Sequence, residues 1–132
     1  MRAIGLRHIL VLSALTLGGA GLARALGFSL VLPDLRSALV FLVLAPALEE
    51  YVFRAQLQQW LADRWKHPRY ALWGATALFA LGHAPWVGWQ ALWLMLPGLV
   101  LGWVWWRYRR LSLNVLIHAG FNAALVLTTL WI

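Results

Sequence analysis

The chain contains no cysteine, which excludes disulfide bonds and thiolate metal sites. Carboxylates are almost as scarce, since only Asp34, Glu49, Glu50 and Asp63 are acidic among 132 residues. Eleven Lys and Arg residues raise the formal net charge to +7. In a soluble protein that charge would suggest nucleic-acid binding, but here the basic residues cluster at the ends of apolar segments. Lipid head groups and membrane topology explain such clusters, so we expect no nucleic-acid partner.

Most of the residues in the chain are apolar. The chain is 63% hydrophobic with ten tryptophans and a mean hydropathy of +0.74, which is typical of a membrane protein. Five apolar segments cover 9–32, 35–60, 70–83, 86–106 and 111–132, with Asp34 beginning the second and Ala84-Pro85 ending the third. A crossing needs about 20 residues. The sequence therefore predicts an all-α, polytopic membrane bundle of about five transmembrane helices, forming a single domain over 1–132.

The basic residues predict the orientation of this bundle. With five crossings, one face collects Arg2, Arg7, Arg64, Lys66, Arg69, Arg107, Arg109 and Arg110. The other face has only Arg36 and, near its boundary, Arg24. Because cytoplasmic loops carry the excess of Lys and Arg, we expect a cytoplasmic N-terminus and an external C-terminus. A multi-pass protein of the inner, cytoplasmic membrane follows from this arrangement.

Four polar residues on three separate segments are predicted to reach similar depths in the membrane. At a rise of about 1.5 Å per residue, Glu49, His83, His118 and Asn122 lie roughly 12 to 20 Å from the basic face. A polar or ionisable side chain at such depth is expensive and marks a functional site by default. The sequence therefore predicts that these side chains meet inside the bundle.

The spacing of the two adjacent glutamates gives them different environments. Glu50 and Arg54 are four residues apart, so they share a helix face and are expected to form an ion pair. Glu49 is turned by about 100° from Glu50 and is left for chemistry. Phe79 and His83 share the four-residue spacing, which predicts that the ring packs one turn from the imidazole.

A buried carboxylate beside a histidine can activate water, because one group takes the proton while the other orients or relays it. A second histidine, His118, shares a helix face with Asn122, and the two supply hydrogen-bond donors for a developing oxyanion. These residue types indicate water-mediated hydrolysis of an acyl bond.

Three motifs resemble those of a known family. Glu49-Glu50-Tyr51-Val52-Phe53-Arg54 is similar to E-E-x-x-x-R, Phe79 to His83 to F-x-x-x-H, and His118 to Asn122 to H-x-x-x-N. In this order they resemble the CAAX protease and bacteriocin-processing family of glutamate-type intramembrane endopeptidases. The resemblance covers about 35–132, a four-helix catalytic core, and leaves the first helix, 9–32, peripheral.

The resemblance implies a role for each residue. Glu49 and His83 would activate the attacking water, and His118 and Asn122 would stabilise the oxyanion. Glu50 and Arg54 would support them as a pair, with Phe79 packing beside the site. It also implies an intramembrane endopeptidase without a cofactor, acting on a membrane-associated or C-terminally tagged peptide or protein in contact with the lipid bilayer.

Other interpretations remain open at this point. Zinc held by Glu49, His83 and His118 would be a known catalytic ligand set, although the H-E-x-x-H motif is absent. The same acid and histidines would also suit a non-enzymatic membrane scaffold, or a proton- or ion-coupled transport subunit. The substrate, its cleavage site, any homodimer, and the membrane face to which the site opens are left undecided.

Overall fold

All regular elements of the computed structural model, which describes residues 5–25, 27 and 34–130, are helices. In chain order they are α1 (Leu6–Ala25), α2 (35–65), α3 (Pro68–Val87), α4 (Met95–Tyr108) and α5 (Leu111–Leu130). The predicted all-α bundle is confirmed. The single-domain assignment and the division into a peripheral helix and a core stay predictions.

Helix α2 changes its winding along its length. Its α-helical segments are Leu35–Leu39, Ala45–Glu50 and Gln59–Trp65, and its π-helical segments are Val40–Leu44 and Tyr51–Gln58. Wide π turns are rare and occur frequently at functional sites. Both glutamates end the middle α-helical segment, so the change of winding begins directly after them.

The start of α2 is fixed by a side-chain cap. Asp34 has extended backbone geometry, and its Oδ1 accepts a hydrogen bond of 2.7 Å from the Ser37 amide. This bond satisfies one of the amides that a helix N-terminus leaves without a partner, and it lowers the pKa of the Asp34 carboxyl. The predicted helix start at Asp34 is confirmed.

Helices α3 and α4 form an antiparallel hairpin closed by a short 3-10 segment, Gly88–Leu94. The prediction that Ala84-Pro85 ends the third segment was wrong, because α3 continues through Pro85 to Val87. The helix ends instead where Gly88 adopts a positive φ of 60° and its amide bonds the Ala84 carbonyl. A backbone of that kind favours glycine, so Gly88 rather than proline makes the turn.

The bundle buries polar residues and exposes apolar ones. Its buried polar and charged residues are Glu50, Arg54, Gln58, Thr76, Asn114 and His118. Large apolar side chains lie on the outside, including Leu35, Trp86 and Leu116. Exposed apolar surface on this scale marks contact with a membrane or partner. Among the described residues, two helical stretches are long and apolar enough to cross a bilayer, Pro68–Tyr108 and Leu111–Thr128.

Two apolar clusters join the helices around this polar interior. Leu12 of α1 packs with Val104 and Tyr108 of α4, and α1 also packs along α5. Leu61 near the end of α2 packs with Ala71 and Ala75 of α3. Helix α5 also packs directly on α2, so the helices that carry the predicted site residues, α2, α3 and α5, lie together around Glu50.

Candidate active site

Glu50 lies at the centre of a buried hydrogen-bonded network. Its Oε2 is 3.3 Å from Arg54 Nε and accepts a 2.9 Å hydrogen bond from Asn114 Nδ2. Its Oε1 is 2.9 Å from His118 Nδ1. The side chains of Glu50 and Arg54 are fully buried, so the ion pair predicted from their spacing is confirmed. A buried carboxylate requires such partners to remain charged.

Two glycines of α4 allow this helix to pack closely on α2 and α3 beside the Arg54 guanidinium. A Cβ atom on Gly98 would lie 2.9 Å from Thr76 Cγ2 and 3.7 Å from Arg54 Nη2. A Cβ atom on Gly102 would lie 3.1 Å from Gln58 Oε1, which is tight, and 3.5 Å from Arg54 Nη1, which is an ordinary contact. The guanidinium lies over the Phe79 ring in a cation–π contact, with its Cζ atom 5.4 Å from the ring centroid. Phe79 therefore packs against the supporting ion pair as well as beside the histidines.

Glu49 occupies a different environment from its neighbour. Its side chain is 27% exposed, whereas that of Glu50 is fully buried. One carboxylate oxygen, Oε2, lies 3.8 Å from His83 Nε2 and 3.6 Å from His118 Nε2. These distances exceed a direct hydrogen bond and leave room for a shared water or a substrate atom. The two glutamates are thus separated into a buried, paired carboxylate and an accessible one.

Hydrogen bonds fix the tautomers of both histidines. His83 Nδ1 is 2.8 Å from the Phe79 carbonyl oxygen, which can only accept, so Nδ1 carries the proton. His118 Nδ1 likewise donates to the Glu50 carboxylate. In neutral imidazoles the Nε2 atoms are therefore acceptors, and both face Glu49 Oε2. The fixed ring orientation resembles the way in which functional histidines are usually held.

Asn122 lies one turn beyond His118 on α5. Its Nδ2 donates a 2.9 Å hydrogen bond to the Phe41 carbonyl oxygen in the first π-helical segment of α2. That bond uses one of the two amide hydrogens and leaves the second free of this contact. The amide therefore ties α5 to α2 in the structure, and its predicted role at an oxyanion stays a prediction.

Glu49, His83 and His118 are the residues named as zinc ligands. The Nε2 atoms of the two histidines do lie near the same oxygen of Glu49, Oε2. Within 5–25, 27 and 34–130, however, no group of three or more His, Cys, Asp or Glu side chains is arranged so that it could hold a metal ion. The residue types thus suit zinc, but the described side chains are not arranged as a set of metal ligands.

Comparison with protein families decides the affiliation of the chain. The model of the Rce1-like family, type II CAAX prenyl endopeptidases, matches residues 31–124. The chain belongs to this family. The match runs from the start of α2 into α5 and contains all seven residues singled out by the motifs, while α1 lies outside it. Searches of curated proteins and of solved structures give no significant match.

Membership of the Rce1-like family implies a membrane protein with protease activity on a peptide or protein. The predicted resemblance to CAAX-type proteases is thereby confirmed. The roles of the individual residues rest on the geometry described above, and they are taken up as a proposal below.

Three residues of this Rce1-like site were missed by the motifs. Asn114 donates to Glu50, and Gly98 and Gly102 let α4 pack closely on α2 and α3 beside Arg54. A signal for each is present in the sequence. Asn114 precedes His118 by four residues, as His118 precedes Asn122, and the two glycines form a G-x-x-x-G pair that favours close helix packing.

Proposed function

We propose that the protein is an intramembrane endopeptidase in which Glu49 and His83 activate the attacking water. The observation that carries this proposal is the pairing of an accessible carboxylate with an oriented imidazole. Glu49 Oε2 and His83 Nε2 are 3.8 Å apart, and the Phe79 carbonyl holds the His83 proton on the opposite nitrogen. Both facing atoms accept hydrogen bonds, so one water can donate a hydrogen to each.

The chemical step follows from that geometry. As the water oxygen bonds to the carbonyl carbon of the scissile peptide, one water proton passes to the Glu49 carboxylate or to His83 Nε2. The carbonyl π electrons move to oxygen and form a tetrahedral oxyanion. Its collapse breaks the C–N bond, and the stored proton passes to the leaving nitrogen. The products are a new carboxylic acid, which keeps the second water proton, and a new amine, which takes up that proton when the acid ionises. The proposal needs no metal ion because carboxylate and imidazole together accept and return the first proton.

The oxyanion would be stabilised by His118 and Asn122. Since His118 Nδ1 already donates to Glu50, its Nε2 can donate to an oxyanion only if the ring is an imidazolium. In that form Nδ1 keeps its bond to Glu50 while Nε2 faces the site. Asn122 would add its second amide hydrogen. Glu50 and Arg54 support this arrangement without contacting the substrate.

The substrate class that we propose is a membrane-associated protein or peptide cut near its C-terminus. The family is described by its action on CAAX prenyl tails, and the outer surface of this bundle is apolar enough to lie against lipid. We further propose the inner membrane as the location, with the N-terminus in the cytoplasm, because the basic clusters favour that orientation.

The proposal is tested with purified protein in liposomes and two internally quenched peptides. Both end in a CAAX sequence, and one carries an S-farnesyl group on its cysteine. We expect the wild-type protein to cut the farnesylated peptide, with the bond identified by mass spectrometry, and chelators to leave the rate unchanged. His83→Ala removes the oriented base and should slow cleavage by about 100-fold or more.

His67→Ala is the matched control, since His67 is an exposed imidazole at the start of α3. It should retain the wild-type rate. Failure of the wild-type protein to cut either peptide, or cleavage by His83→Ala at the wild-type rate, would contradict the proposal. Stoichiometric zinc in the active protein, with activity lost on its removal, would overturn the metal-free mechanism.

A further inference from the structure

Asn114 is a fully buried amide on α5, one turn before His118. Its Nδ2 makes two short hydrogen bonds, of 2.9 Å to Glu50 Oε2 and 2.8 Å to the Leu101 carbonyl oxygen. Both partners can only accept, so the nitrogen must face them and both amide hydrogens are used. The orientation of this side chain is therefore determined by α2 and α4 together.

The bond to Glu50 has a specific consequence for the carboxylate. Oε2 is held from one side by Arg54 and from the other by Asn114, which leaves Oε1 to face His118 Nδ1 at 2.9 Å. Without the amide, the carboxylate plane could turn about its terminal torsion toward the guanidinium, which would move Oε1 away from His118 Nδ1. Asn114 thus holds the plane of the Glu50 carboxylate, and with it the position of the oxygen that accepts from His118 and the direction of His118 Nε2.

A purely structural role has to be separated from this one, because Asn114 also links α5 to α4. Gln58 provides the comparison. Its side chain is buried, and its Nε2 donates a 2.9 Å hydrogen bond to the Gly102 carbonyl, next along α4 from that of Leu101. Gln58 therefore makes the same kind of interhelical link without a hydrogen bond to Glu50. Loss of helix packing alone would affect both amides alike.

We infer that Asn114 is a positioning residue for the reaction, which acts through Glu50 to orient His118 toward Glu49 and the oxyanion. This inference rests on the proposed function for its consequence in catalysis. Its structural part, the control of the His118 ring by Asn114, can be measured without a substrate.

The test compares Asn114→Leu with Gln58→Met, two changes that remove a hydrogen-bonding amide while keeping its approximate volume. In liposomes with the farnesylated peptide, Asn114→Leu should lower kcat by about 10-fold or more, at the lower end of the losses seen when the hydrogen-bond partner of a metal-bound histidine is removed, because Asn114 acts on His118 only through Glu50. Its KM should stay near the wild-type value, because Asn114 does not contact the substrate. Gln58→Met should change neither constant.

The second readout is the nitrogen NMR spectrum of protein labelled in its histidines, with the His118 signals assigned from their loss in His118→Ala. We expect Asn114→Leu to shift the His118 ring signals and Gln58→Met to leave them in place. Circular dichroism and gel filtration establish folding, and Asn114→Ala replaces the leucine variant if the latter does not fold.

The outcomes distinguish a positioning role of Asn114 from a contribution to helix packing alone. Unchanged His118 signals and an unchanged kcat in a folded Asn114 variant would overturn the positioning role. Equal losses in the Asn114 and Gln58 variants would also overturn it, in favour of general packing. If the wild-type protein cuts no peptide, the proposed function fails, while the His118 signals still decide whether Asn114 orients the ring.

Discussion

Glu49→Gln is expected to lower the rate of peptide cleavage by roughly 10⁴-fold or more, the scale seen when a central catalytic group is removed. The amide keeps the shape of the side chain but cannot accept the water proton, and its NH2 group can donate to His83 Nε2, the acceptor that the water would otherwise use. Folding should be unaffected, because Glu49 is partly exposed and makes no buried ion pair. The cleavage rate is measured with the farnesylated peptide in liposomes.

Asp63→Asn is the matched control for this change. Asp63 is an exposed carboxylate on the same helix, and its Oδ1 accepts a hydrogen bond from Gln59. The same carboxylate-to-amide substitution should leave cleavage at the wild-type rate there. A Glu49→Gln protein that cuts within a few-fold of wild type would exclude Glu49 as the base.

Arg54→Met is expected to lower the free energy of unfolding by about 3–5 kcal/mol, since it leaves the buried Glu50 carboxylate without its cation. The methionine also loses the contact over the Phe79 ring. The free energy is measured by steric trapping or denaturation in detergent micelles. Arg64→Met, an exposed change on the same helix, should have an effect below about 1 kcal/mol.

A double variant sharpens this prediction. Glu50→Gln combined with Arg54→Met removes both charges, so it should be more stable than Arg54→Met alone. The buried ion pair does not stabilise the fold as its geometry indicates if Arg54→Met has the wild-type free energy of unfolding. The same conclusion follows if the double variant is less stable than Arg54→Met.

The sequence predicted those parts of the site that depend on spacing within one helix. Glu50 and Arg54 are four residues apart and do pair, and Phe79 does pack beside His83 at a centroid distance of 4.6 Å. Local periodicity suffices for such contacts, because neighbours three or four residues apart on a helix are brought together wherever the helix lies.

Contacts between helices were harder to predict. Asn114 and Glu50 are 64 residues apart, and their hydrogen bond depends on the crossing of α2 and α5, which no motif specifies. The π-helical segments also alter the facing of α2 residues, and a rotation of 100° per residue does not include that change. Similar depth could be inferred for Glu49, His83 and His118, but the bond that ties His118 to Glu50 could not.

The ends of the helices likewise could be predicted only where local contacts determine them. Asp34 is a capping residue whose bond to Ser37 is local, so its position as a helix start could be read from the sequence. Pro85 was expected to stop α3, yet the helix accommodates it and ends at Gly88. Proline disrupts a helix by removing one backbone donor, whereas packing of α3 along α4 favours its continuation, and here packing prevails.

Direct attack by a water held at Glu49 is tested best by a single turnover in ¹⁸O-labelled water, with protein in excess over the farnesylated peptide. If Glu49 and His83 activate the water, the new carboxylate of the product carries one ¹⁸O atom, and Glu49, recovered by digestion, carries none. An unlabelled product with ¹⁸O in the Glu49 carboxylate would show that Glu49 attacked the peptide itself, and would contradict the mechanism.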